Sequence, residues 1–352
     1  MVSGHTSSAL LAGAYQAGEW VDAWMFQRGL TSGLFLLLSG FAFSVATTRH
    51  WPAHTRFSGA LLKRLRRFTL FIVLGYALHF PVPHVAELAT ATAEQWRSFL
   101  AVDVLQLIGT TFLVVQALVL IMRTRRAFMV AAFVLAAAVI AATPAVWDID
   151  WTGTLPLSIA AYLSQATGSL FPLFPWSAFV LIGAGSGQIY ARWGAANLTA
   201  FANWGMLAPG VALVTFAWNI GWLIGRAFPG PSGWVPADVL VRTGSCLIVL
   251  GVTAHASRRI GQLPHVFGAV AQESLAIYFL HLCVVYGSIW NVGLSWFYGQ
   301  ALTPAGTSLA VVAVVVSMIA LAWLWNGLKH TRPRVARLLS VAAWVVLVGL
   351  LL

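Results

Sequence analysis

The chain opens Met1-Val2-Ser3-Gly4-His5-Thr6-Ser7-Ser8, one imidazole among small polar residues at the head of a very apolar sequence. If His5 lies inside the membrane, it is the best catalytic candidate in the chain. A second histidine closes the run Glu273-Ser274-Leu275-Ala276-Ile277-Tyr278-Phe279-Leu280-His281. At about 100° per residue, Ser274, Tyr278 and His281 fall on one helix face, with Glu273 turned about 80° from His281. That face points into the bundle, where a functional polar site and the hydrogen bonds that tie membrane helices together are about equally good readings for His281. Asp103, Gln106 and Thr110 repeat the spacing, with an N-cap at Asp103 and a backbone-bonded Thr110 as the ordinary alternatives. Asp238 and Arg242 read as an intrahelical ion pair. In Leu62-Lys63-Arg64-Leu65-Arg66-Arg67-Phe68, four cations in five residues suit a multiply phosphorylated ligand such as coenzyme A, and also the cytoplasmic anchor of a membrane span.

These groups must be positioned by membrane helices. With 60% apolar and 8% charged residues and a mean hydropathy of +0.84, the chain lacks the ionisable groups to cover a water-soluble surface. The fold class is therefore all-α, a polytopic transmembrane bundle, read as one domain over residues 1–352. Apolar runs of spanning length lie near 29–47, 68–86, 104–122, 128–147, 174–190, 204–224, 239–255, 267–290, 307–328 and 338–352, about ten in all. Sixteen of the twenty basic residues fall in alternate connections: 49–67, 123–126, Arg192, Arg258 with Arg259, and 329–337. Eight of the nine acidic residues lie on or near the other side, with Glu273 the exception. This bias predicts cytoplasmic basic connections and an external C-terminus. The formal charge of +11 is thereby topology and not a nucleic-acid-binding face. Cys246 and Cys283 both sit in apolar runs, so no disulfide framework and no metal cluster of the usual spacing is expected.

Glu19, Asp22 and Arg28 are then external, and residues 1–18 must reach them from inside. That segment has no signal-peptide pattern. It reads as the outer half of a first span whose inner half would precede Met1, which puts His5 inside the membrane; a short helix at the outer interface is the alternative. Gly183-Ala184-Gly185-Ser186-Gly187 lacks the preceding strand and spacing of a dinucleotide fingerprint, and with Ser39-Gly40 it reads as close helix packing. The connections 148–173 and 228–234 are the places where an acceptor could be recognised.

Taken together, these landmarks resemble the membrane domain of the heparan-alpha-glucosaminide N-acetyltransferase family and its bacterial relatives, and more distantly the acyltransferase family three proteins. In that family the first span carries an arginine, then a glycine-containing apolar run, then a histidine; Met1-Val2-Ser3-Gly4-His5 is similar to the end of that run. Phe35-Leu36-Leu37-Leu38-Ser39-Gly40 is similar to the second-span signature, and Lys63 to Arg67 to the basic cytoplasmic loop. Asp103-Val104-Leu105-Gln106-Leu107-Ile108-Gly109, Phe174-Pro175-Trp176 and Ser274 to His281 are similar to later helices. The upstream arginine is absent, and Leu107 stands where the family often has a polar residue, which leaves the substrate class open.

The resemblance implies a transmembrane O- or N-acyltransferase. Acyl-CoA, in the first place acetyl-CoA, would be the cytosolic co-substrate, with no metal, and a hydroxyl or amine of a glycan or lipid-linked acceptor would receive the group from the other side. It implies that Lys63, Arg64, Arg66 and Arg67 hold the donor phosphates, that His5 acts as base or transient acyl carrier with His281 and Asp103, and that Ser39, Gln106, Ser274 and Tyr278 line the chamber. The bacterial relatives imply an inner (plasma) membrane and lipid contacts, with no nucleic-acid partner; a homodimer is left open. A different class of function, a transporter or flippase for a lipid-linked or small anionic molecule, would use the same polar faces as a pathway. A third is a membrane subunit without a site of its own.

Overall fold

Backbone polar groups in hydrocarbon must be satisfied internally, and this chain satisfies them in helices. The computed structural model describes residues 1–351, with the side chains of all except Trp20, Ile220, Ile224 and Leu351. The main helices are α1 (Val2–Leu10), α2 (Glu19–Arg49), α3 (Gly59–Leu78), α4 (Val104–Met122), α5 (Arg125–Trp147) and α6 (Leu173–Ile189). They continue with α7 (Ala208–Ala227), α8 (Val235–Ile260), α9 (His265–Gln272), α10 (Ser274–Tyr286), α11 (Pro304–Thr331) and α12 (Pro333–Leu351).

Seven of the described helices are long and apolar enough to cross a membrane, or eight if α9 and α10, bent by 73°, form one broken span. The ten apolar runs of the sequence thus resolve to seven or eight. Two runs fall outside that set for physical reasons. α3 begins at Gly59, so Lys63 to Arg67 lie in the early turns of a helix and not in the expected loop. Ser58 starts it by accepting from Leu61 N at 3.1 Å, and Leu, Lys and Arg are all good helix formers. α6 has 17 residues, set off at its start by an extended Phe174 (φ −94°, ψ 121°), and reaches about 26 Å where a bilayer core is about 30 Å thick. The run expected over 267–290 is interrupted at Glu273, between α9 and α10.

The chain divides into two compact units, one of Met1–Arg28, Ala77–Phe99 and Gly261–Leu352, the other of Gly29–Tyr76 and Leu100–Ile260. In the first, α1 packs against α10 and α11, around buried Ala9, Leu10, Val285, Val314 and Met318. Its exit is tied down by backbone bonds in both directions, Ala12 N to Leu302 O at 3.0 Å and Leu302 N to Leu10 O at 2.9 Å. Gln300 Nε2 adds a bond to Ser8 O at 3.2 Å. α10 stops at Tyr286 because Gly287 takes a positive φ of 87°, turning the chain into a short hairpin, Gly287–Ser288 with Asn291–Val292.

In the second unit α2 and α6 cross with their backbones almost touching. A Cβ at Gly40 would overlap Val180 O, and one at Gly183 would overlap Leu37 O, so each helix offers a glycine to a carbonyl of the other. The small residues of 183–187 are therefore a packing device, as expected. Leu37 and Cys246 bury their side chains with Phe201, Met206 and Leu247 beside this crossing. Gly183→Ala is expected to force α2 and α6 apart and to cost about 1–3 kcal/mol. Gly327→Ala, where nothing lies within 4 Å of the added methyl group, is expected to be neutral or stabilising by up to about 1 kcal/mol. Thermal melts of the two variants in detergent give the comparison.

Candidate active site

In the first unit four rings stand in a row across α1 and α10. Tyr278 and His281 have ring centroids 5.5 Å apart, His281 and His5 5.3 Å, and His5 and Tyr286 5.8 Å, the last pair edge to face. His281 is 1% exposed. Its Nδ1 lies 2.8 Å from Ile277 O, and a carbonyl can only accept, so Nδ1 carries the hydrogen and Nε2 is left as an acceptor. That Nε2 is buried and has no hydrogen-bond partner among the described residues. His5 is half-buried. The Tyr286 hydroxyl sits over it, 3.5 Å from His5 Nδ1 and donating to His5 O at 3.3 Å. Gly4 leaves room for Arg28, whose Nε would lie 3.1 Å from a Cβ built there, so a guanidinium side chain packs one residue from His5.

The break before α10 sets this arrangement. Glu273, the acidic residue out of place in the charge pattern, is buried at the break. Its Oε1 accepts from Lys329 Nζ at 2.5 Å and from Asn326 Nδ2 at 3.1 Å, while Asn326 Nδ2 also reaches Gln272 Oε1 at 3.0 Å. A carboxylate so held is neutralised by α11, and α9 ends at Gln272, one residue before it. The polar face expected on an unbroken helix is shortened in consequence: Tyr278 and His281 are buried, whereas Ser274, the first residue after the break, is exposed.

The second unit holds the other residues expected at the site. Asp103 caps α4, accepting from Val104 N at 2.6 Å, while Gln106 Oε1 accepts from Asp103 N at 3.3 Å, so the two form a capping box. Gln106 is fully buried against Gly75, and its Nε2 has no partner among the described residues. Ser39 returns its hydroxyl to Phe35 O at 2.7 Å. The four cations of α3 divide. Lys63, Arg66 and Arg67 are exposed, whereas Arg64 turns inward, donating to Thr47 Oγ1 at 2.8 Å and Gln116 Oε1 at 3.2 Å over the Phe43 ring. Gln116 Nε2 in turn donates to His54 O at 3.0 Å. Burial, then Arg64 and then His50, lower the pKa of the His54 imidazole beside this cluster. Arg64 is thus built into the helix packing, while its three neighbours are exposed, Arg67 lying over the Phe71 ring.

Tyr286 and Arg28 are the residues beside His5 that spacing alone did not single out; Tyr286 lies past the histidine motif, and Arg28 reads as an external loop charge. Glu273 carried a usable signal, being the one acid on the basic side. Arg64→Met is expected to cost about 1–3 kcal/mol by stranding Thr47 and Gln116, whereas Arg66→Gln and Arg67→Gln should stay within about 0.5 kcal/mol of the parent. Detergent melts of the three variants read this directly.

Residues 1–215 match the family described as heparan-alpha-glucosaminide N-acetyltransferase, catalytic. The matched stretch contains His5, Ser39, the cations of α3, Asp103 and Gln106; Ser274, Tyr278, His281 and Tyr286 follow it. No curated protein and no solved structure matches the chain. The match covers more than half of the sequence and agrees with the helices of spanning length and with the motifs that carry the resemblance, so this chain belongs to the heparan-alpha-glucosaminide N-acetyltransferase catalytic family.

Proposed function

We propose that this chain transfers an acetyl group from cytosolic acetyl-CoA to a hydroxyl or amine of a glycan or lipid-linked acceptor presented from the opposite side of a bacterial inner membrane. Its basic connections lie in the cytoplasm and its C-terminus outside. The observation that carries the reading is His5, on a helix inside the family match, set 5.3 Å ring to ring from a buried His281 whose Nε2 is an acceptor with no partner among the described residues. A base needs a fixed orientation and a route for the proton it takes, and the neighbouring rings offer both.

In this reading Tyr286, beside His5 Nδ1, leaves the other ring nitrogen for the substrate. The acceptor hydroxyl or amine attacks the thioester carbonyl, His5 takes the acceptor proton, the C–S bond breaks, and the coenzyme thiolate leaves and recovers a proton. In the two-step variant His5 nitrogen attacks first and passes the acetyl group on. Arg28, packed over Gly4, supplies positive charge for the oxyanion that forms in either case. Lys63, Arg66 and Arg67 offer exposed cations to the donor phosphates.

Membranes containing the chain should move labelled acetyl from acetyl-CoA to acceptor, with His5→Ala lowering the rate roughly 10²–10⁴-fold and Tyr286→Phe lowering it by less. Full activity in His5→Ala removes that residue from the mechanism. The bend between α9 and α10 is also a feature of transporters; acceptor counterflow that needs no acetyl-CoA would favour transport instead.

A further inference from the structure

Three arginines of the second unit converge on one cavity. Arg125 and Arg126 begin α5, and Arg192 lies in the π-helical turn Tyr190–Gly194 that follows α6. With Met129, Gln188 and Ala191 they line a cavity of ≈ 250 Å³. Among the described residues no ion pair joins Arg125, Arg126 or Arg192 to a carboxylate. All three side chains are exposed, so solvent screens their repulsion but leaves them reachable by an anion. A helix N-terminus carries partial positive charge, so two arginines in the first turn of α5 stand where an acidic residue would be favoured, and a third cation faces the same cavity. An anion relieves both effects and finds guanidinium forks as donors.

The walls are tied together through Thr48. Its carbonyl accepts from Arg125 Nη2 at 3.1 Å, and its hydroxyl accepts from Gln188 Nε2 at 2.9 Å. Gln188, 4% exposed, also donates to Ser44 Oγ at 2.8 Å, which engages both amide hydrogens and leaves the guanidiniums as the donors for a ligand. The volume lies below the roughly 300–1,000 Å³ of pockets that enclose a whole drug-sized molecule. It suits a small, highly charged group.

We propose that this pocket binds a phosphate or diphosphate group, belonging either to a soluble phosphorylated cofactor or to an anionic lipid headgroup. The proposal rests on the acetyltransferase reading only in taking coenzyme A as the soluble source. The test uses the purified full chain in phosphatidylcholine nanodiscs, titrated calorimetrically with pyrophosphate and with coenzyme A, and melted in parallel nanodiscs containing phosphatidic acid. The double variant Arg126→Gln with Arg192→Gln should bind the soluble probes about tenfold more weakly or worse, as the loss of two charge-assisted hydrogen bonds implies. Arg334→Gln with Arg337→Gln, the charge-matched control, should bind as the parent does. If instead phosphatidic acid raises the melting temperature of the parent and not of the double variant, the headgroup is the source. Pyrophosphate binding that depends on the pocket, with no binding of coenzyme A, keeps the pocket and removes the coenzyme as donor. Equal behaviour of parent and double variant toward all three probes, or an equal loss in the control, overturns the proposal. Should the double variant not fold, Arg126→Gln alone, an exposed side chain, gives the same comparison at a smaller fold-change.

Discussion

A polar atom without a partner costs several kcal/mol in hydrocarbon, and that penalty organises this chain. Hydroxyls along the spans are returned to the backbone four residues back, as at Ser39, Thr47, Thr143 and Ser177. Asp103 and Gln106 close on each other in a cap, Glu273 is met by Lys329 and Asn326, and Arg64 by Thr47 and Gln116. Among the described ionisable side chains, two buried ring nitrogens escape the rule, His54 Nδ1 and His281 Nε2. The second stands against another histidine, and this pair is the centre of the proposed chemistry.

The complementary demand is for closeness. Lipid provides no hydrophobic push between helices, so stability comes from contact, and glycine gives the shortest contact available. In the second unit the reciprocal glycines of α2 and α6, and a similar exchange between Gly210 and Gly244 of α7 and α8, bring carbonyls against neighbouring backbone. In the first unit closeness comes from the pairing of Leu11 with Leu302 instead. One unit is stiffened by what its side chains lack, the other by a borrowed backbone bond.

Much of this is readable from residue order. α4 has the bounds that its hydropathy marks, the Asp103 to Gln106 spacing is that of a capping box, and Asp238 with Arg242 forms its ion pair at 2.6 Å. What is not readable depends on partners distant in sequence. The break before α10 is stabilised by Asn326 and Lys329 of α11, and no periodicity within 265–286 announces it. Arg64 differs from Arg66 and Arg67 by its direction around α3, which places Thr47 and Gln116 within its reach. Tyr286 acquires its position from a turn at Gly287 and from a helix at the other end of the chain.

α1 carries His5 over Val2–Leu10. Its bearing comes from α10, α11 and the strand-like bond at Leu302, all encoded in the last third of the sequence. The histidine and the tyrosine beside it are therefore 281 positions apart in the sequence. A change in the late helices can retune how the imidazole is aimed while every residue of the opening motif stays the same, so the aim of the proposed base and the motif are separable properties of this chain.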